Sequence, residues 1–334
     1  MAYTLDDKLV VAISSRALFD LDEADRVFRE HGLDSYRQYQ REHEDEPLAP
    51  GTGMPLVRGL LRINEAVGQS LVEVIVVSRN DADSGLRMFN SIEAMKLPIT
   101  RAAFTAGTDP LPYLKPFFSD LFLSSEPDAV RAALARGFAA AHVLKPPEDF
   151  HSAPTGPVKI AFDGDAVLFD DESEKVFQTK GLDAFVRRER RLANTPLNAG
   201  PFKPFLTALG RVQKAAGTEN RVIRTALVTA RNAPATKRVV NTLRQWEVQI
   251  DETFFLGGIE KAGVLEALDA HIFFDDQRIH LDLAQSTTPS AHVPTAESPA
   301  PVAATRPKQA RPPKRTRKND TGRGATKAKR RKTK

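Results

Sequence analysis

The 334-residue chain has no cysteine, a single tryptophan and only four methionines. Without cysteine it can form neither a disulfide nor a thiolate metal centre, and that composition fits a reducing compartment, so a cytoplasmic location is expected. No run approaches the roughly 18–20 uncharged apolar residues of a membrane span, so no membrane partner is expected. The segment Met1-Ala-Tyr-Thr-Leu-Asp-Asp-Lys8 lacks the basic-then-apolar order of a signal peptide. Its seven histidines include no His-x-x-x-His pair. Gly51-Thr-Gly-Met-Pro55 fails as a dinucleotide fingerprint, because Leu56 replaces the last glycine and a helical pattern precedes it.

Charge is unevenly placed. The net +5 averages a strongly basic end with an acidic body: Arg306–Lys334 carries 14 Lys and Arg against Asp320 alone, whereas residues 1–305 hold 34 basic and 42 acidic residues. From about Ser286 the chain turns to Ser, Thr, Pro and Ala, and then to the Lys/Arg-rich stretch. Such a composition cannot bury a core, so 296–334 reads as a disordered tail. Clustered basic residues without aromatics suit salt-sensitive contact with nucleic-acid phosphates through 306–334; a merely solvated tail is the other reading.

Strand and helix signals alternate along the rest. Apolar runs at 8–13, 71–78, 99–104, 120–123, 139–144, 158–162, 221–229, 252–256 and 271–274 read as strands. Helical patterns fill 22–46, 56–67, 83–96, 112–118, 127–137, 172–192, 202–215, 234–246 and 262–269. In the first of these, Phe28, Leu33, Tyr36 and Tyr39 are the expected buried positions. Alternation of this kind specifies an α/β fold with a parallel sheet. Pro146–Pro157 reads as a linker.

The most informative stretch is Lys159-Ile-Ala-Phe-Asp163-Gly-Asp165-Ala-Val-Leu-Phe169. An apolar strand leads into two aspartates at its C-terminal end, the edge where open α/β sheets bind ligands. Two acids so close call for a cation or a shared proton. With no cysteine or histidine beside them, a hard divalent ion, most simply Mg2+, is the natural partner; an acidic turn is the plain alternative.

The chain also resembles itself. At an offset of 149, Glu23–Asp34 falls on Glu172–Asp183, sharing Val-Phe-x-x-x-Gly-Leu-Asp, and Gly51 falls on Gly200. At an offset of 151, Arg87 pairs with Arg238, Asn90 with Asn241 and Phe104 with Phe255. An internal duplication accounts for both registers. The halves differ where chemistry is carried: Ser14 stands opposite Asp163, Arg16 opposite Asp165, Pro110 opposite Lys261 and Ser125 opposite Asp275 or Asp276, while Ser78 faces Thr229. The first half therefore reads as a non-catalytic copy (1–150) beside a catalytic unit (157–295).

In that second unit Asp163 and Asp165, the Thr229 hydroxyl, Lys261 and the Asp275-Asp276 pair all lie at strand or helix ends along one sheet edge. The carboxylates suit magnesium, and Lys261 with Thr229 suits a phosphate. Taken in this order, Asp163-x-Asp165, Thr229, Lys261 and Asp275-Asp276 resemble the four motifs of the haloacid dehalogenase (HAD) superfamily of aspartate-nucleophile phosphatases. Phe162–Phe169, Leu227–Arg231, His271–Gln277, Ser15–Phe19, Ser78–Asn80 and Tyr113–Lys115 are similar to the cytosolic 5′-nucleotidases of type I. The resemblance covers roughly residues 8–295.

The resemblance implies two tandem HAD-like Rossmannoid units, with a helical cap insert at 171–217 in the second. It implies magnesium-dependent hydrolysis of nucleoside 5′-monophosphates, with Asp163 as nucleophile, Asp165 as general acid and base, and Thr229 and Lys261 stabilising the phosphoryl group. Asp163, Asp165 (by its carbonyl), Asp275 and Asp276 would hold the metal. Ala230, Arg231, Phe185, Arg187 and Phe202 are substrate candidates, although Arg187–Arg191 also reads as a solvated helix face. Ser78, Arg79 and Asn80 would form a second anion site or else a fossil strand end. A homo-oligomer is left open by the sequence. Two other readings stand: a phosphatase of another phosphorylated metabolite, and a nucleic-acid-associated protein acting through its tail.

Overall fold

A computed structural model describes residues 4–147, 156–217 and 221–295. Most of the expected linker and the whole basic tail lie outside the described residues. Strand sequences that are apolar throughout need cover on both faces, the condition of a parallel sheet. Accordingly, all five residues of Leu9–Ile13 and all seven of Val72–Ser78 are buried.

The first half runs β1 (Leu9–Ile13), α1 (Ser15–Leu18), α2 (Asp22–Glu42), α3 (Met54–Val67), β2 (Val72–Ser78), α4 (Ala82–Ala94), β3 (Arg101–Phe104), β4 (Leu121–Ser124), α5 (Pro127–Ala135) and β5 (Ala140–Val143). The second runs β6 (Val158–Phe162), α6 (Glu172–Arg191), α7 (Lys203–Ala216), β7 (Ile223–Thr229), α8 (Thr236–Gln245), β8 (Glu252–Phe255), α9 (Ala262–Leu268), β9 (Ile272–Asp275), α10 (Arg278–Ala284) and β10 (Ser290–His292). The helix expected over 112–118 is a single 3-10 turn at Leu111–Leu114.

All ten strands join one sheet in the order β3-β2-β1-β4-β5-β10-β9-β6-β7-β8. Every neighbouring pair is parallel except β5 and β10, where His142 faces His292 and Val143 faces Ala291. Outward from that seam the halves have the same order. β10 corrects the expectation that the chain from about Ser286 cannot bury a core: Ser290-Ala-His292 is fully buried between two strands. A three-residue strand containing Ser and His carries neither an apolar run nor an alternation by which a sequence would reveal it.

The halves also interlock through their helices. α7 packs on β1, and a side chain added at Gly59 in α3 would meet His271 and Val158 of the second half. One hydrophobic core therefore runs from Leu9 and Ile13 to Phe162 and Phe274. Trp246 packs against it with its ring 5.5 Å from that of Phe169. Among the described residues no helix is long and apolar enough to cross a membrane.

Local geometry repeats as well. α2 and α6 each break at a left-handed glycine, Gly32 (φ 84°) and Gly181 (φ 76°), a conformation that glycine adopts without a Cβ penalty. A side chain at Gly51 would strike the backbone at Phe19, and one at Gly200 the backbone at Phe169. Ser91 Oγ accepts from Leu48 N at 3.0 Å, and Thr242 Oγ1 accepts from Leu197 N at 2.9 Å. Two expected core positions on α2 are not core: Phe28 and Leu33 are each 47% exposed.

Candidate active site

The site is assembled from the C-terminal ends of β6, β7 and β9, which adjoin in the sheet. β6 delivers Asp163, whose N–H donates to Phe274 O at 2.8 Å, fixing it beside the end of β9. The chain then turns sharply, with Ala166 in a left-handed conformation (φ 61°). β7 ends at Thr229, whose Oγ1 accepts from the N–H of Arg231 at 3.3 Å. Gly164 leaves that hydroxyl approachable, since a Cβ there would lie 3.1 Å from Thr229 Oγ1.

Lys261 precedes α9 and points inward. Its Nζ is 2.7 Å from Asp163 Oδ1 and donates to Asp275 Oδ2 at 2.7 Å. Asp275 Oδ1 accepts from Gln277 N at 2.7 Å, and His280 Nδ1 lies 3.0 Å from Oδ2. Asp276 completes the cluster: one carboxylate oxygen from each of Asp163, Asp275 and Asp276 lies within 4.8 Å of the others. Oδ1 of Asp276 is buried without a hydrogen-bond partner.

The electrostatics of this cluster are short of positive charge. Burial pushes Asp163 up to about 7 despite Lys261, with Asp275 and Asp165 adding repulsion. Burial likewise pushes Asp276 up to about 9, reinforced by Asp163 and Asp275. Asp275 is also penalised by burial, yet the His280 hydrogen bond and the Lys261 charge outweigh this and hold it below the usual carboxylate range. Burial alone would lower Lys261, but the two carboxylates raise it. One lysine among three acids, and an orphaned carboxylate oxygen, fit a bound divalent cation with oxygen ligands.

Asp165 faces a different partner. Arg231 grips it with two hydrogen bonds, Nη2 to Oδ1 at 2.5 Å and Nε to Oδ2 at 2.8 Å. The same guanidinium donates to Glu189 Oε2 at 2.9 Å and stacks 5.5 Å from the Phe185 ring. Glu189, wholly buried on α6, also accepts from Arg238 Nη1 at 2.8 Å and from Ser173 Oγ at 3.1 Å. Sequence reasoning missed this acid, because Arg187–Arg191 read as a solvated face. The available signal was its spacing of four from Phe185, which puts both on one side of the helix. His280, four residues beyond Asp276, was missed along with α10.

The substrate candidates separate. Arg231 adjoins Asp165 and Phe185 lies against the Arg231 guanidinium, whereas Arg187 and Ala230 are exposed. Phe202 is wholly buried against Phe162, Phe205 and Phe274, so it is a core residue and does not face a ligand. Ser78, Arg79 and Asn80 lie at the corresponding edge of the first half. Ser78 Oγ donates to Asn80 Oδ1 at 2.6 Å, and Arg79 is half exposed, 3.7 Å from Glu126.

The 5′-nucleotidase family model matches residues 1–299, which takes in both halves of the sheet. The chain belongs to the 5′-nucleotidase family. Human cytosolic 5′-nucleotidase 1B is 37% identical over 288 residues, covering 83% of this chain and 47% of the human protein. This 5′-nucleotidase family member thus spans about half the length of the curated relative it matches. Among solved structures, histidinol dehydrogenase from Elizabethkingia anophelis overlays with a TM-score of 0.22 at 10% identity, over 85% of this chain and 52% of that chain. A likeness so weak carries no argument.

Proposed function

We propose that this 5′-nucleotidase family member hydrolyses nucleoside 5′-monophosphates through an aspartyl-phosphate formed on Asp163, in a magnesium-dependent reaction. The observation that carries the reading is the buried cluster in which Lys261 contacts Asp163 and Asp275, with Asp276 alongside. In this reading residues 157–295 form the catalytic unit of a duplicated chain, 1–150 is its non-catalytic copy, and α6 within 171–217 serves as a cap. A cytosolic setting, as in the relative's name, belongs to the same reading.

Asp163 would attack phosphorus as the bond to the ribose 5′-oxygen breaks, dividing one difficult displacement into two easier ones. Asp165 would give its proton to the departing oxygen. It would then take a proton from the water that attacks phosphorus, releasing phosphate and restoring the Asp163 carboxylate. Lys261 and the Thr229 hydroxyl would stabilise charge on the phosphoryl oxygens. Magnesium, held by Asp163, Asp275, Asp276 and the Asp165 carbonyl, would offset repulsion between carboxylate and phosphate. The cycle requires Asp165 to exchange Arg231 for the leaving oxygen; Glu189 remains to hold the guanidinium.

A phosphate-release screen over nucleoside monophosphates and sugar phosphates, with and without magnesium, tests the reading. Nucleoside monophosphates should be hydrolysed only with metal, and Asp163→Asn should be folded and inert. Substantial turnover by a pure Asp163→Asn sample would overturn the assignment. Preference for sugar phosphates would point to the other metabolite reading.

A further inference from the structure

A cavity of about 430 Å3 opens in the first half, at the strand ends that correspond to the candidate active site. Such a volume lies in the range of small-molecule pockets. The matching register of the two halves places Ser14 where the second half has Asp163, and Ser124 where it has Asp275, since Ile13 faces Leu123 as Phe162 faces Phe274. With Arg16 at the Asp165 position and Pro110 at that of Lys261, the cavity holds none of the groups used for phosphoryl transfer.

It is also ill suited to a phosphate. Where Gly164 leaves Thr229 open, the first half has Ser15, whose hydroxyl lies 2.9 Å from Ser78 Oγ and donates to Asn80 Oδ1 at 3.1 Å. The two hydroxyls at this edge are thereby bonded to each other and to the Asn80 amide oxygen. Three arginines line the cavity and each faces an acid that also lines it: Arg16 with Asp25 at 3.1 Å, Arg37 with Asp81 at 2.9 Å, and Arg79 with Glu126 at 3.7 Å. No positive charge is left over to be matched by a phosphate.

What remains is an apolar, aromatic wall with a few polar points. Phe28 and Tyr36 of α2 stand edge to face, with centroids 5.9 Å apart, and both line the cavity. The half-exposed Phe28 and Leu33 thus acquire a purpose as its rim. Ser14 lines the same cavity, and its hydroxyl is buried without a hydrogen-bond partner. A flat ring with polar edges would pair with that hydroxyl and pack its faces on the aromatics.

We propose that this cavity binds an uncharged heteroaromatic molecule of nucleoside size, packed on the Phe28–Tyr36 pair with the Ser14 hydroxyl as a polar contact. The ligand's chemistry follows from the cavity itself; the choice of nucleosides rests on the proposed function, whose product they are.

The test uses the full chain carrying Asp163→Asn, so that nothing is turned over. Binding of adenosine, inosine, AMP and inorganic phosphate is measured by calorimetry. One nucleoside should bind per chain at the cavity, and its affinity should fall by about tenfold or more on Ala24→Trp, which fills the cavity. Tyr36→Ala, which deletes the ring instead, should weaken it similarly should the larger side chain disturb folding. Phe185→Ala, at the candidate active site, should leave this binding in place. Absence of nucleoside binding at millimolar concentration would overturn the proposal. So would binding lost with Phe185→Ala but kept in both cavity variants, or tighter binding of AMP or phosphate that disappears in Arg79→Ala. Phosphate release by the wild-type chain is measured separately: failure there with cavity binding intact sinks the proposed function alone.

Discussion

Arg231 and Asp165 meet in a two-pronged ion pair, 2.5 Å and 2.8 Å long, whose guanidinium is almost wholly buried. Glu189 holds the remaining arm of Arg231 together with Arg238, so one buried acid from α6 contacts two buried arginines. Glu189→Gln should therefore cost about 3–5 kcal/mol of stability, the scale for breaking a buried ion pair from one side. Urea unfolding followed by circular dichroism measures it; an unchanged midpoint would show that the network carries no stability.

Among the described residues Lys261 is the only cation contacting both Asp163 and Asp275. Lys261→Met should reduce phosphate release by about 10²–10³-fold, the usual cost of losing one preorganised charge donor. Steady-state rates at saturating magnesium give the comparison. A variant within a factor of three of wild type would remove Lys261 from the phosphoryl-stabilising role.

Metal should bind the folded chain and stabilise it. At a magnesium concentration of 100 times Kd the gain would be about 2.7 kcal/mol, visible as a rise in Tm. Chelation with EDTA should reverse the rise. Asp276→Asn removes one member of the acid cluster and should largely abolish the shift; an undiminished shift would mean that the ion sits elsewhere.

Gly164→Ser copies the first half at this position, placing a side chain against the Thr229 hydroxyl. Its backbone is not in the left-handed region, so the fold should tolerate the change to within about 1 kcal/mol. Phosphate release should nevertheless fall by about tenfold or more, through the blocked hydroxyl. Full activity would show that the open approach to Thr229 is immaterial.

Acid should unfold the protein partly through His142. Burial lowers this imidazole from 6.5 to about 4, with repulsion from His292 across the seam. Because the unfolded chain takes up the proton first, stability is intact above pH 6.5 and is lost as pH falls toward 4. The loss from this residue is at most about 3 kcal/mol. Denaturant titrations at pH 7 and pH 4.5 should show it, and His142→Leu should flatten the difference.

The strands carrying the site were readable because they are apolar on both faces, and Asp163, Lys261 and Asp275 follow such runs or begin a helix. Their convergence needed only the rule that parallel strand ends share an edge. The Arg231–Glu189–Arg238 network was not readable: its members lie on a strand end and two helices, and nothing in Arg187–Arg191 marks Glu189 as the residue that turns inward. Phe202 misled for the opposite reason, since an aromatic beside a Gly/Pro loop suits a cap as well as a core. β10 escaped because its burial comes from two neighbouring strands and not from its own composition.

The β5–β10 pairing has a consequence for traffic at the molecule's surface. Since these two strands run in opposite directions, the strand ends that carry Asp163 open on one rim of the sheet and those that carry Ser14 on the other. A molecule seated in the Ser14 cavity neither blocks nor touches one arriving at Asp163. Both can be present together, and any influence of one on the other must pass through the strands and the common core between them.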